Sequence, residues 1–456
     1  MEVTDFTKGS IRGNIVRLAV PMTLAQLINV LYNIIDRIYI GRMEQGSALA
    51  LTGVGVCLPV ITIVIAFANL IGMGGAPLFS IERGKGNDTE AEYILGNSFV
   101  LLVLFGAGLT IAGLLFKRPV LYLLGASDAT YPYADSYLTI YLLGNVFVLL
   151  SLGLNSFISG QGFGKTGMAT VIIGAGLNMI LDPVFIFALK LGVRGAAVAT
   201  VLSQAVAALW TLYFLLGKKA VIRLRGCRMK LVRKRVFRIM GLGVSGFTMS
   251  VTNSLVQMVC NAMLQRYGGD IYVGVMTMIN SVREVVSMPV SGVGAGAQPV
   301  MGYNYGAGRE DRVRESISFM SVTLIIYTLA AWLLIFLFPQ FFLGIFSTDK
   351  AIIEKGVSCL HLYFFGFFMM ALQFSGQTTF TGLGFSRQAV FFSIFRKIII
   401  VIPLTLLLPR VDSLGVIGVF LAEPISNFVG GGACFATMYF TVYRRLAKKV
   451  KKETIL

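Results

Sequence analysis

Apolar runs long enough to cross a lipid bilayer recur along the whole chain. Each has about 20 residues or more, which is the length a helix needs to cross a hydrocarbon core of about 30 Å. Short polar or Gly- and Pro-marked breaks separate the runs. The pattern predicts an all-α integral membrane protein of twelve transmembrane helices, at approximately 14–40, 52–80, 93–116, 134–158, 167–189, 193–216, 236–264, 272–303, 315–337, 357–381, 388–409 and 413–443.

Composition agrees with this pattern. Of 456 residues, 56% are hydrophobic and 13% charged, whereas about a quarter of the residues in a soluble domain are charged.

The first apolar run follows a polar N-terminus and lacks a small-residue cleavage site, so we expect it to be retained as a helix. The five cysteines are scattered without CxxC spacing, and we expect neither disulfides nor a zinc site.

The net charge of +18 is concentrated in a few segments. Ten lysines and arginines and no acid lie in 218–238, and further basic clusters lie at both ends of the chain. Twelve spans place these three segments on one side, and the positive-inside rule makes that side the cytoplasm. We therefore expect a cell (inner) membrane protein with cytoplasmic termini, and no nucleic-acid partner. Contact with anionic lipid is a second use for the central run.

The chain matches itself at an offset of 222 residues. "GQGF" at 160–163 aligns with "GLGF" at 382–385, and Pro77 aligns with Pro299. We predict an N-terminal half at 1–217, a basic linker at 218–235 and a C-terminal half at 236–456. Because each half has six helices, the repeats are parallel, as in some secondary transporters, and a central cavity between them is expected.

The stretch "SGQGFGKTG" at 159–167 resembles a phosphate-binding loop. Such a loop needs a glycine five residues before Gly164, where Ser159 stands, and it follows a strand, whereas an apolar membrane run precedes this one. Its repeat partner "TGLGFSR" keeps the glycines and loses Lys-Thr. We expect a turn between helices and no nucleotide partner.

Polar side chains form a stripe on helix 1. Gln26, Asn29, Asn33 and Asp36 are spaced by 3, 4 and 3 residues, which places them on one helical face. An ionised group at mid-bilayer costs about 2.5–3.5 kcal/mol on insertion scales, so Asp36 is a functional candidate. Hydrogen bonding between helices is the alternative role for the amides. Pro21 cannot donate a backbone hydrogen bond and is a candidate bend.

Helix 5 supplies a second acid. Asn178 and Asp182 are four residues apart and share a face, and Pro183 disturbs the backbone directly after the acid. If Asp36 and Asp182 face each other in a poorly hydrated pocket, they favour holding a proton, and the same oxygens could hold Na⁺. Both ions remain open, and we expect no other cofactor. A helix-end role beside the proline is the alternative for Asp182.

The second half has no equivalent acids, although it carries other polar groups inside its predicted spans. Asn253 and Gln257 are expected to line the cavity. Arg283, Glu284 and Glu423 are predicted to form an intramembrane ion pair or a substrate contact. Further residues of this half are the charged Arg396 and Lys397 and the lone His361, which we interpret as a packing residue.

The helix-1 motif "VPMTLAQLINVLYNIIDRIYIGR", the loop "GQGFGKTG" and "LNMILDP" resemble the MATE family, and the pattern is most similar to its DinF-like bacterial drug exporters. This resemblance covers essentially the whole chain. It implies a cation site of Asp36, Asn178, Asp182 and the helix-6 hydroxyl Thr200. Tyr137 of helix 4 matches a further family position. The acids that NorM-like members use in the C-terminal half have no match.

The resemblance also implies an activity. Family members export organic, often cationic, compounds in exchange for H⁺ or Na⁺ by alternating access of a central cavity. Small-molecule drugs or toxins would then be the substrates. The protein would be surrounded by membrane lipid and would function as a monomer. Asp36 or Glu284 would attract cationic substrates.

Two alternatives to an exporter are another kind of secondary transporter and an enzyme. Flippases for lipid-linked cell-wall or polysaccharide precursors resemble MATE exporters, but they usually carry basic cavity residues, and Asp36 and Asp182 favour the exporter. An intramembrane enzyme would need a nucleophile with a base, or a metal constellation. One histidine and scattered cysteines supply neither, so we do not expect an enzyme.

Overall fold

The computed structural model describes residues 4–41, 47–346, 350–411 and 414–447, and the regular structure in these ranges is entirely helical. The α-helices are α1 Ile11–Gly41, α2 Ser47–Gly84, α3 Asp88–Leu123, α4 Tyr131–Gly160, α5 Gly164–Pro183, α6 Val193–Leu216, α7 Arg233–Gly306, α8 Glu310–Leu337, α9 Pro339–Gly344, α10 Lys350–Phe364, α11 Met369–Gly382, α12 Ser386–Ile394, α13 Ile402–Leu407, α14 Gly415–Ser426 and α15 Gly432–Met438.

Helix α7 contains two membrane spans. Its 74 residues would extend about 110 Å at 1.5 Å per residue, several times the thickness of a hydrocarbon core. Gly269 interrupts it with φ 69° and ψ −170°, a conformation that a residue with a Cβ adopts only with strain. The segments before and after Gly269 therefore cross separately.

The remaining described helices account for ten more spans. Nine are single runs of sufficient length and hydropathy, and Ile353–Phe364 with Met369–Gly382 forms one further span bent by 48°. With the two spans of α7, the twelve predicted transmembrane helices are confirmed, and all lie in the described part of the chain.

Several spans change from α-helix to π-helix. Val184–Ala188 continues α5, Phe395–Val401 links α12 to α13, and Asn427–Gly431 links α14 to α15. A π segment inserts an extra residue into the helical turn and redirects the side chains beside it, and such segments are common at functional sites. The first of these three segments closely follows Asp182, the second contains Arg396 and Lys397, and the third closely follows Glu423.

The first compact unit comprises residues 4–5 and Leu24–Ser250. Helix α4 lies at its centre and packs against α2, α3 and α6. Glycines allow this close packing, because a Cβ on Gly144 of α4 would lie 2.3 Å from Val201 of α6. A large buried cluster of Leu, Ile, Val and Phe side chains fills the unit.

The second compact unit comprises Phe6–Thr23 and the described residues from Val251 onward. Helix α11 packs against α8, α12 and α15. The start of α1 belongs to this unit, since a Cβ on Gly296 would lie 2.6 Å from the backbone nitrogen of Ala19. A second large hydrophobic cluster forms its interior.

Packing groups residues 233–250 with the first unit, although the repeat in the sequence places them in the C-terminal half. A Cβ on Gly243 would lie 1.6 Å from the carbonyl oxygen of Leu70, and one on Gly74 would lie 2.1 Å from that of Ile239. Helix α2 and the start of α7 are therefore in backbone contact. The division at 218–235 follows sequence repetition, whereas the compact units follow these contacts.

The basic linker is held against the start of α3. Arg228 donates to Tyr93 Oη at 2.8 Å and to Glu92 Oε2 at 3.2 Å. Arg235 makes a bidentate pair with Glu90, at 2.8 and 2.7 Å. Several of the linker's positive charges are thus paired with acids of the same unit.

The stretch at 159–167 is a turn between helices. Helix α4 ends at Gly160 and α5 begins at Gly164, and Gly162 between them has φ 94°. The repeat partner Gly384 has φ 80°. The backbone oxygens of this turn accept from Arg83 Nη1 at 2.9 Å and from the Thr4 amide at 3.1 Å. Glycine is required here because the chain adopts a positive φ.

Candidate functional site

Two helices of the first unit bring an acid, an amide and a hydroxyl together. Asp182 and Asn178 lie on α5 and Thr200 on α6, with 0%, 2% and 5% of their surfaces exposed. In the orientation that satisfies its amide, Asn178 Nδ2 donates to Asp182 Oδ2 at 2.8 Å, and its oxygen lies 3.3 Å from Thr200 Oγ1. The amide therefore bridges the carboxyl of one helix and the hydroxyl of the next.

Helix α1 adds the second acid. The Asp36 carboxyl lies within hydrogen-bonding reach of the Asp182 carboxyl. Because an ionised carboxylate only accepts hydrogen bonds, two carboxyl groups can bond to each other only when a proton is shared between them. The four residues of the predicted cation site, Asp36, Asn178, Asp182 and Thr200, thus lie together in one place.

Three tyrosines surround these residues. The hydroxyls of Tyr32 and Tyr137 both lie near the hydroxyl of Thr200. The rings of Tyr137 and Tyr141 stack at 6.3 Å. The resemblance had indicated Tyr137, but sequence reasoning missed Tyr32 and Tyr141. A helical signal was available for both, because Tyr32 precedes Asp36 by four residues and Tyr141 follows Tyr137 by four.

The backbone changes directly after Asp182. Pro183 has no N–H to donate to the carbonyl of Met179, and the helix continues as the π segment Val184–Ala188. The acid therefore sits where a regular helix ends, as the position of the proline predicts.

The ligand atoms offered here are oxygens of carboxyl, amide and hydroxyl groups. Such hard donors suit a proton or a hard cation such as Na⁺, and they suit soft transition metals less well. Within the described ranges, no three residues among His, Cys, Asp and Glu cluster closely enough to hold a metal ion.

The other predicted residues of helix 1 precede Asp36 on α1. Helix α1 continues through Pro21, and Gln26 and Asn29 are exposed. The side chain of Asn33 lies outside the described part of the chain. Their assignment to a cavity or a gate stays a prediction.

In the second unit, Asn253 and Gln257 line a cavity together with Asn280. Glu284 is exposed and is not among the residues that line it. His361 Nε2 lies 3.0 Å from the Phe336 carbonyl oxygen, and its ring packs on the Phe336 ring at 4.7 Å. These contacts agree with its interpretation as a packing residue.

Charged residues of three helical segments meet in the same cavity. Glu423 of α14 contacts Lys397 Nζ at 3.3 Å, Arg283 Nη1 at 3.6 Å and also Arg396 Nη2. Arg396 and Lys397 belong to the π segment after α12, and both are buried. Of the two roles considered for Glu423, the structure shows the ion pair. Sequence reasoning named these residues one by one and did not join the two basic residues to Glu423.

Comparison with known proteins agrees with this architecture. A family model described as MatE matches residues 21–184 and 247–407. The multidrug export protein MepA of Staphylococcus haemolyticus (strain JCSC1435) is 26% identical over 432 residues, which cover 93% of each protein. MepA of Staphylococcus aureus (strain MRSA252) is 25% identical over 403 residues, which cover 87% of each.

The fold is also found among solved structures. An outward-facing multidrug resistance MATE family transporter of the MOP superfamily superimposes with a TM-score of 0.91 at 24% identity, covering 98% of this chain and 99% of the other. The family model spans most of the chain, in both repeats. The family expected from the motifs is therefore confirmed, and the chain is a multi-pass membrane protein that belongs to the MatE family of transporters.

Proposed function

We propose that this protein exports organic, often cationic, compounds across the cell membrane in exchange for H⁺ or Na⁺. The observation that carries the proposal is the pairing of Asp36 with Asp182 beside Asn178 and Thr200. The names of the MepA relatives support the multidrug export part. Small molecules are then the substrates, and the chain acts as a monomer in lipid with both termini in the cytoplasm.

The site residues would couple the ion to the substrate through charge. When the coupling ion occupies the site, the Asp36–Asp182 pair carries less negative charge. The interaction of α1 with α5 and α6 then changes. Asn178 and Thr200 hold the Asp182 carboxyl in position while this happens. Pro21 is the point at which α1 can bend, since the proline leaves one backbone carbonyl of the helix without its donor.

Ion loading and substrate binding would then exclude each other. An empty pair carries negative charge that attracts a cationic compound, and a loaded pair carries less. Alternating access needs such a differential interaction with two states, because a ligand shifts an equilibrium only by its difference in affinity.

Efflux from proteoliposomes tests this proposal. Ethidium-loaded vesicles are given an inward Na⁺ gradient or an inward proton gradient, one at a time. Asp36→Asn and Asp182→Asn are expected to abolish gradient-driven efflux. Asp128→Asn, which changes an acid that bonds to Tyr122 in the same unit, is the matched control and should leave efflux unchanged.

Retained gradient-driven efflux in both site variants would overturn the coupling role of the pair. If neither gradient drives ethidium out of wild-type vesicles, the exporter function fails and the lipid-precursor flippase becomes the better proposal.

A further inference from the structure

The cavity of the second unit carries charges that the proposed ion coupling does not use. Its polar lining includes Arg283, Lys397 and Glu423 together with the amides of Asn253, Gln257 and Asn280. Its enclosed volume is about 20 Å³, which is room for about one water molecule. Because the cavity is partly open to the outside, a ligand would place one small polar group in it and extend outward.

The charges in this cavity do not balance. Arg283, Arg396 and Lys397 share the single carboxylate of Glu423, which can offset only one of them. The exposed fractions of Arg396, Lys397 and Glu423 are 7%, 8% and 6%, and the Arg283 side chain is 29% exposed, so water reaches mainly Arg283. Unpaired charge in a membrane interior is costly, and an anion that enters the cavity would reduce that cost.

Other groups near the cluster do not remove the excess. Tyr363 and Cys260 also line the cavity, and both are neutral in their ordinary protonated forms. Glu284 follows Arg283 in the chain, but its side chain is exposed and it is not part of the lining.

The two cationic groups that line the cavity differ from Arg396, which is anchored. Arg396 Nε donates to Ser426 Oγ at 3.1 Å and its Nη2 to Asn427 Oδ1 at 2.7 Å. Arg283, by contrast, approaches Glu423 only to 3.6 Å, which is longer than a hydrogen bond. A guanidinium has five N–H donors and an ammonium three, so Arg283 and Lys397 retain donors for a further ligand.

We propose that this cavity binds an anionic oxygen group, a carboxylate or a phosphate, between Arg283 and Lys397. Charge-assisted hydrogen bonds from guanidinium and ammonium groups suit both anions. Asn280 donates to Gln257 Oε1 at 2.9 Å, and this pair of amides lines the cavity beside apolar side chains such as Val256 and Met276. That the anion is part of an exported compound rests on the proposed function, whereas the binding itself does not.

Equilibrium dialysis of radiolabelled benzoate against the purified full-length protein in a neutral detergent tests the site. Phenyl phosphate is expected to displace benzoate, and benzamide, the neutral analogue of benzoate, is not. Arg283→Gln should weaken benzoate binding about tenfold, as expected for a charge-assisted hydrogen bond. Arg410→Gln, at an exposed position of the same unit, is the matched control and should leave binding unchanged.

A second variant moves the result in the opposite direction. Glu423→Gln removes the competing carboxylate and should tighten benzoate binding, provided that its melting curve shows a folded protein. Absence of saturable benzoate binding to the wild type, or equal displacement by benzamide, would overturn the proposal whether or not the variants fold.

Two further measurements separate the sources of the anion and the two proposals. In nanodiscs, displacement of benzoate by phosphatidylglycerol and not by phosphatidylcholine would identify a lipid headgroup as the natural ligand. Ethidium efflux is measured with the same protein. Benzoate binding without efflux would count against export and leave the anion site standing, and efflux without benzoate binding would do the reverse.

Discussion

Asn178 Nδ2 donates a hydrogen bond of 2.8 Å to Asp182 Oδ2, one turn further along α5. The bond joins an amide and a carboxyl that are both almost completely buried. Because a buried polar group without a partner costs about 1–3 kcal/mol, each of these residues depends on the other. The relationship makes Asn178 a positioning residue for the acid.

Replacing Asn178 with alanine should therefore weaken coupling without removing an acid. We expect the half-saturating concentration of the coupling cation to rise about tenfold, since hydrogen bonds to charged groups contribute about 1.5–3 kcal/mol. The measurement is the cation dependence of ethidium efflux in proteoliposomes. Thr62→Ala, at a half-buried helical position whose hydroxyl donates to the Leu58 carbonyl oxygen of its own helix, serves as the control. Equal cation dependence in the two variants would contradict the role of Asn178.

Thr200 can be tested by a pair of conservative substitutions. Thr200→Val keeps the shape and removes the hydroxyl that contacts Asn178 and lies near the hydroxyls of Tyr32 and Tyr137, whereas Thr200→Ser keeps the hydroxyl. We expect gradient-driven efflux to fall at least severalfold in Thr200→Val and to stay near wild type in Thr200→Ser. Retained efflux in the valine variant would show that the hydroxyl is not needed at this site.

The contact between α4 and α6 should depend on Gly144. A side chain at this position would overlap Val201, which lies 2.3 Å from an added Cβ. Overpacking of this kind costs about 1–3 kcal/mol, so Gly144→Ala should lower the melting temperature of the detergent-solubilised protein. Adding Val201→Ala should restore most of the loss because it removes the overlapping methyl groups. If the double variant does not recover the melting temperature, the strain lies at a contact other than that with Val201.

The pair between Arg235 and Glu90 should hold the basic linker in place. Both side chains are about one-fifth exposed, and their bidentate geometry makes the interaction stronger than an ordinary surface ion pair. Arg235→Gln should speed trypsin cleavage within 218–235. High salt should also speed cleavage of the wild type, because it screens the ion pair. Lys219→Gln, at an exposed linker position without a described ion pair, should not slow or speed cleavage at the neighbouring sites.

Much of the site was predictable because helical spacing is a local property. The three- and four-residue intervals from Gln26 to Asp36 and from Asn178 to Asp182 define faces of single helices without any knowledge of the fold. The sequence could suggest but not establish that Asp36 meets Asp182. These two residues are 146 positions apart in the chain, and their contact depends on how their helices pack. Tyr32 was missed because an aromatic residue in a membrane helix is ordinary.

The sequence by itself determined the membrane class, the twelve spans and the repeat. These follow from the length of apolar runs and from matching turn glycines, which are readable along the chain. Only the tertiary structure decided that Arg396 and Lys397 share Glu423 with Arg283, and that residues 233–250 pack with the first unit. Both depend on contacts between residues far apart in the chain, and hydropathy carries no information on which helices touch.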